Sequence, residues 1–103
     1  MKTNDLIGTK EIWDCNNMKI KLEYYLVATK SKIEEKETLY GIQIIKCQRE
    51  EREMQKEVEA ITGISYSRKL VEQIITSLMD NTVTPMCMLE IVDDYIAREM
   101  MFT

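Results

Sequence analysis

The spacing of apolar residues changes once along this chain, near Ser65, and this change limits the folds that the chain can adopt. Between Met18 and Val27, apolar and charged residues alternate, so that successive side chains point to opposite faces of an extended strand. After Ser65, apolar residues recur every third or fourth position, which is the spacing of a helix with one buried face. Strands followed by helices in this order predict an α+β fold.

The alternating half predicts an antiparallel sheet of three or four strands over residues 6–62. Residues 6–27 read as a hairpin, because the segment Cys15-Asn16-Asn17 supplies asparagines that tolerate the positive φ of tight turns. A second alternating run, Thr38 to Cys47, predicts another strand, antiparallel because the connection is short. Residues 1–5 carry no such pattern, and we expect them to be disordered.

The segment from residue 49 to residue 62 allows two interpretations. Met54, Val58 and Ile61 have helical spacing, and the many Glu, Lys and Gln residues favour a helix. The apolar content is too low for that pattern to decide between strand and helix.

Helix signals are clearer in the last third of the chain, which predicts a first helix over residues 66–80. Ser65 or Ser67 can cap its start, and one face carries evenly spaced aliphatic residues. The helix is expected to end near Asp80-Asn81.

A second helix is predicted over residues 85–100. Thr84 is a suitable N-cap, Pro85 then takes the first helical position, and Val83 and Met88 have the spacing of a hydrophobic staple. The short joint between the helices indicates a helical hairpin, which we expect to pack on one face of the sheet. The core of this arrangement is predicted to contain ten residues: Tyr24, Leu26, Ile42, Ile44, Leu70, Ile74, Leu78, Leu89, Val92 and Ile96.

Length and composition fit one domain, residues 1–103, with 45% hydrophobic and 31% charged residues. No stretch approaches the ~20 apolar residues that span a bilayer, and the N-terminus does not lead into a signal-peptide core. The three cysteines are far apart and odd in number, which fits reduced thiols. We therefore expect a cytoplasmic protein without a membrane contact.

The sequence predicts no catalytic, cofactor-binding or metal-binding residues. It contains no histidine, which removes the usual general base and the commonest metal ligand. Its three glycines are isolated and form no phosphate-binding loop. Glu90, Asp93 and Asp94 lie on or beside the outer face of the last helix and could be imagined in a cation site or an acid/base role. Asp93 and Asp94 are adjacent on a helix and point about 100° apart, so a solvated surface is the better interpretation.

Three short motifs resemble a small family of uncharacterised proteins from spore-forming Gram-positive bacteria. They are Tyr24-Tyr25-Leu26-Val27, Tyr40-Gly41-Ile42-Gln43-Ile44, and Val83-Thr84-Pro85 followed by Leu89, Val92, Asp94 and Tyr95. In proteins of this kind, the segment before the first helix usually reads as a strand, so the resemblance favours a strand over residues 55–62. It implies no activity, cofactor or partner.

The sequence favours a small non-catalytic interaction or regulatory module, with a protein partner or a second copy of the chain as its ligand. Ile91, Tyr95 and Phe102 widen the apolar arc of the last helix and are the predicted interface. Alternatively, the preceding helix covers this strip.

A nucleic-acid-binding regulatory protein is the alternative function. It would use the strand face that carries Lys19 and Lys21, with Tyr24, Tyr25 and Tyr40 as a possible stacking platform. The net charge of −4 argues against it, because nucleic-acid affinity depends mainly on a basic field.

Overall fold

The structure is a computed structural model that describes residues 2–30 and 37–101. Four strands are followed by two helices: β1 (Lys2–Trp13), β2 (Lys19–Lys30), β3 (Thr38–Glu50), β4 (Glu53–Ser65), α1 (Arg68–Asp80) and α2 (Pro85–Met101). The strands form one antiparallel sheet in the order β1-β2-β3-β4, so β1 and β4 are its edges. Both helices pack on the same sheet, which confirms the predicted α+β fold.

The turn between β1 and β2 is organised by the side chain of Asp14. Its Oδ1 accepts hydrogen bonds from the backbone N–H groups of Asn16, at 2.9 Å, and Met18, at 2.8 Å. Asn17 has a φ of 61°, the left-handed conformation that asparagine tolerates well. The predicted hairpin is therefore present, with its turn at the predicted asparagines.

Residues 2–5 are part of β1, so the prediction that residues 1–5 are disordered is wrong for them; Met1 lies outside the described residues. Lys2 pairs with Thr29, and Asp5 pairs with Leu26. Strand β2 extends far enough to form backbone hydrogen bonds with all of residues 2–5. Because these bonds join backbone groups, residues 2–5 can form a strand without an alternating apolar pattern.

The ambiguous segment is a strand: β4 pairs with β3 from Glu53, opposite Glu50, to Ser65, opposite Tyr40. Backbone pairing with β3 therefore outweighs the helix propensity of its Glu, Lys and Gln residues. Met54 and Val58, whose spacing suggested a helix, are an even number of residues apart and share one face of the strand.

The core lies between the helices and one face of the sheet. Seven of the ten predicted core residues are fully buried, and Leu70 and Ile96 are partly buried against them. The prediction that Leu89 belongs to the core is wrong, because its side chain is 55% exposed. Met88 and Val92 take the buried side of α2, and Leu89, turned about 100° from Met88, falls on the outer side.

The helix ends follow the local sequence signals. Ser67 caps α1, its hydroxyl accepting a hydrogen bond from the N–H of Leu70 at 3.2 Å, and Asn81 terminates the helix. Helix α2 begins at Pro85, as predicted. No helix within residues 2–30 and 37–101 combines the length and the apolar content needed to cross a membrane.

Candidate functional site

The face of the sheet that points away from α1 and α2 is called the open face here. Backbone register and strand alternation define it: Ile20, Leu22 and Tyr24 point towards the helices, and the residues between them point the opposite way. No helix among the described residues covers this face. It carries these larger apolar side chains: Leu6, Trp13, Tyr25, Val27, Leu39, Ile45, Met54 and Val58.

Several of these apolar side chains are in contact with solvent. Trp13 is 63% exposed, Met54 65% and Val58 49%. Antiparallel sheets with one solvated face usually place polar residues on that face, so exposed tryptophan, methionine and valine are a departure from the pattern. The open face is therefore suited to contact another apolar surface.

Basic residues share one end of the open face with these apolar groups. Lys21, Cys47 and Lys56 lie opposite one another on β2, β3 and β4, and Arg49 lies opposite Met54. Lys19 forms an ion pair of 3.1 Å with Glu11 across β1 and β2. This end of the face is positive, although the chain as a whole has a net charge of −4.

The hydroxyl of Tyr25 donates a hydrogen bond to the Glu23 carboxylate at 3.1 Å, both on the open face. The pKa of Tyr25 is raised, mainly by desolvation and to a lesser extent by the hydrogen bond to Glu23 and its negative charge. Tyr24 points the other way and is fully buried under the helices, and Tyr40, paired with Ala28, is on that same side. The three tyrosines therefore do not form one stacking platform.

The outer side of α2 is the second exposed apolar surface. One exposed line on this side, the α2 crest, consists of Met86, Leu89, Glu90 and Asp93, which fall within about 100° of arc on a helix. Met86 is 84% exposed. The crest thus combines apolar and acidic side chains.

The predicted interface residues occupy different environments. Ile91 is exposed on α2, whereas Tyr95 is partly buried and packs against the core. Phe102 lies outside the described residues. A substitution at Tyr95 would therefore disturb the core as well as any surface contact.

Asp93 and Asp94 diverge, as expected for adjacent helical residues. Asp94 forms an ion pair of 3.0 Å with Arg98, one turn along α2, and Asp93 is exposed. Within residues 2–30 and 37–101, no three acidic or cysteine side chains come close enough together to hold a metal ion.

An open hollow of about 900 Å³ lies at the end of the sheet, between the β1–β2 and β3–β4 turns. Asp14 and Gln48 are among the residues that line it, and Gln48 donates a hydrogen bond of 2.8 Å to Oδ2 of Asp14. Because Asp14 also accepts two backbone N–H groups, its carboxylate holds the turn in place.

Sequence reasoning identified Lys19 and Lys21 but missed Arg49 and Lys56 as their neighbours. These residues come from strands that are far apart in the chain, and only the pairing register brings them together. A firm assignment of residues 53–65 to a strand would have predicted that Lys56, Val58 and Met54 share one face.

Comparison with known proteins finds one family. No curated protein and no solved structure matches the chain significantly. A family model described as "Family of unknown function (DUF6514)" matches residues 3–98, a range that includes nearly all of the sheet and both helices. The chain belongs to this family of unknown function, DUF6514.

Proposed function

We propose that this protein is a small non-catalytic interaction module that binds a protein partner through its open face. The observation that carries the proposal is the exposure of Trp13, Met54 and Val58 on a sheet face that no described helix covers. Tryptophan and methionine are enriched in protein interfaces, and large exposed apolar patches mark interaction sites. Trp13 lies on the edge strand β1, and Met54 and Val58 lie on the opposite edge strand β4, so a partner that contacts all three spans the face. The basic end of the face would orient a partner that carries acidic groups.

The proposal extends to where the protein acts. It works as a regulatory partner in the cytoplasm, and its family occurs in spore-forming Gram-positive bacteria. The Tyr40-Gly41-Ile42-Gln43-Ile44 and Val83-Thr84-Pro85 motifs support the second statement. A survey of genomes for chains with both motifs tests it: matches spread evenly over unrelated bacteria would contradict it.

Affinity capture with matched variants tests the interaction surface. The tagged full chain is used as wild type, as Val58→Glu on the open face, and as Gln73→Glu on the exposed side of α1. Both substitutions add one negative charge at an exposed position. We expect the wild type and Gln73→Glu to retain the same proteins from the native cell, and Val58→Glu to lose them. Equal retention by all three would reject the open face as the site.

Nucleic-acid binding through the same face is the second candidate, favoured by the presence of Lys19, Lys21, Arg49 and Lys56 on the same face as Trp13. Cations would contact phosphates, and an exposed indole can stack on a base. A gel shift with single-stranded RNA at low salt, weakening steeply as salt rises, is the expected signature. Absence of any shift at low salt removes this candidate.

A further inference from the structure

We propose that the open face of one copy of this chain receives the α2 crest of a second copy, so that molecules associate head to tail. This inference rests on the proposed function, since it assigns an occupant to the same face. Three observations carry it: the shape of the molecule, the charges on its two broad surfaces, and the apolar groups that those surfaces expose.

The molecule is a flat slab of 47 × 32 × 17 Å. The open face and the outer side of the helices are its two broad surfaces. Each has a footprint of roughly 1,500 Å² from these dimensions, and a stable interface needs about 800 Å² from each partner. Partial overlap of the two surfaces therefore supplies the area that a stable interface needs.

The two surfaces carry opposite charge. Lys21, Arg49 and Lys56 make one end of the open face basic, and Glu90 and Asp93 make the α2 crest acidic. Opposite charges across an interface guide association and fix its orientation, whereas like charges placed together oppose association.

Charge also separates this arrangement from the symmetric ones. Two open faces stacked with their basic ends together would place lysines against lysines, and two α2 crests packed along each other would place carboxylates against carboxylates. Contact between the open face and the α2 crest is the pairing of these surfaces that brings opposite charges together.

Apolar groups on the two surfaces are matched in the same way. Met86 and Leu89 project from the α2 crest, and Trp13 and Val58 are exposed on the open face. A sheet buried between two helical layers is a common and stable arrangement. In the assembly, the second copy's α2 would cover the open face much as α1 and α2 cover the opposite one.

Sedimentation of the full chain tests the proposal with two charge-reversed variants. One carries Lys21→Glu and Lys56→Glu on the open face, and the other carries Glu90→Lys and Asp93→Lys on α2. A head-to-tail dimer leaves one open face and one α2 crest free, so the wild-type mass should rise beyond a dimer with concentration and fall with salt. Each variant alone should associate at least tenfold more weakly, and an equimolar mixture should regain association.

Each other outcome overturns the inference. A wild type that stays monomeric at all concentrations rules out self-association. Loss of association in only one variant would indicate a symmetric contact through the surface altered in that variant. Failure of the mixture of folded variants to regain association would show that these charges do not meet. If the wild type is monomeric but Val58→Glu still loses captured proteins, the proposed function stands and only the self-association fails.

Discussion

The hydroxyl of Tyr24 donates a 2.8 Å hydrogen bond to the backbone carbonyl of Val83, 59 residues further along the chain. Tyr24 belongs to the central strand β2, and Val83 lies between α1 and α2. Both residues are buried, so water cannot replace either partner. The bond therefore fixes the joint between the helices to the middle of the sheet.

Tyr24→Phe should lower the free energy of unfolding by about 1–3 kcal/mol, because the buried Val83 carbonyl loses its donor. Tyr25→Phe is the matched control: its hydroxyl donates to Glu23 on the open face, where water can replace the bond, and the loss should be clearly smaller. Urea unfolding of both variants measures the difference. Equal losses would show that the Val83 bond has no special role.

Stability should fall between pH 10 and pH 12 because of Tyr24. Burial raises the pKa of Tyr24 to about 12, whereas a phenol in the unfolded chain ionises near pH 10. Below pH 10 the phenol is neutral in both states, and its contribution is fully present. As pH rises towards 12, the unfolded chain ionises first, and roughly 2–3 kcal/mol is lost. Urea unfolding of wild type and Tyr24→Phe across this range isolates the effect, since the variant should lack this part of the decline; parallel curves would contradict it.

Truncations on α1 and α2 test the assignment of the buried faces. Ile74→Ala should cost about 2–5 kcal/mol, because Ile74 is 1% exposed and its removal leaves a cavity. Leu89→Ala should cost under about 0.5 kcal/mol, as for other surface substitutions, because Leu89 is exposed on α2. Chemical denaturation of both variants provides the comparison. If Ile74→Ala lowers the free energy of unfolding by less than about 1 kcal/mol, the assignment of this face of α1 to the core is contradicted.

Gly41→Ala should be destabilising, because a Cβ at Gly41 would collide with the carbonyl oxygen of Ile61 and lie 2.8 Å from the Cα of Thr62. The obstacle is the backbone of β4 at a bulge, which can move only by disturbing strand pairing. At Gly8 the obstacle is the flexible end of the Met79 side chain, so Gly8→Ala is a milder control. Gly41→Ala should lower the free energy of unfolding by about 1–3 kcal/mol, and Gly8→Ala should lower it by less. The midpoint of thermal unfolding should therefore fall further for Gly41→Ala than for Gly8→Ala. A larger loss at Gly8 would contradict the close approach of β4 to Gly41.

Local signals in the sequence located several elements of this fold. Ser67 at the start of α1 and Pro85 at the start of α2 act through bonds within one helical turn, so their positions can be read directly from the sequence. The asparagines of the first turn act locally too.

Features that depend on distant pairing were missed. Residues 2–5 form a strand because β2 is there to pair with them, and Lys56 joins Lys21 through the register of three strands. Leu89 fits a wide apolar arc on α2, and only packing against the sheet shows which side of that arc is buried. The open face could not be predicted from the sequence for the same reason: its shape and its charge depend on residues from all four strands.

Trp13 reports directly on whether the open face is the interaction surface, because it is the single tryptophan of the chain and lies on that face. Its fluorescence should show solvent-like emission and strong quenching by acrylamide in dilute solution. When the protein self-associates, or when a captured partner is added, the emission should shift to shorter wavelength and quenching should fall. Unchanged emission and quenching in a complex demonstrated by sedimentation would contradict the claim that the open face is the interaction surface.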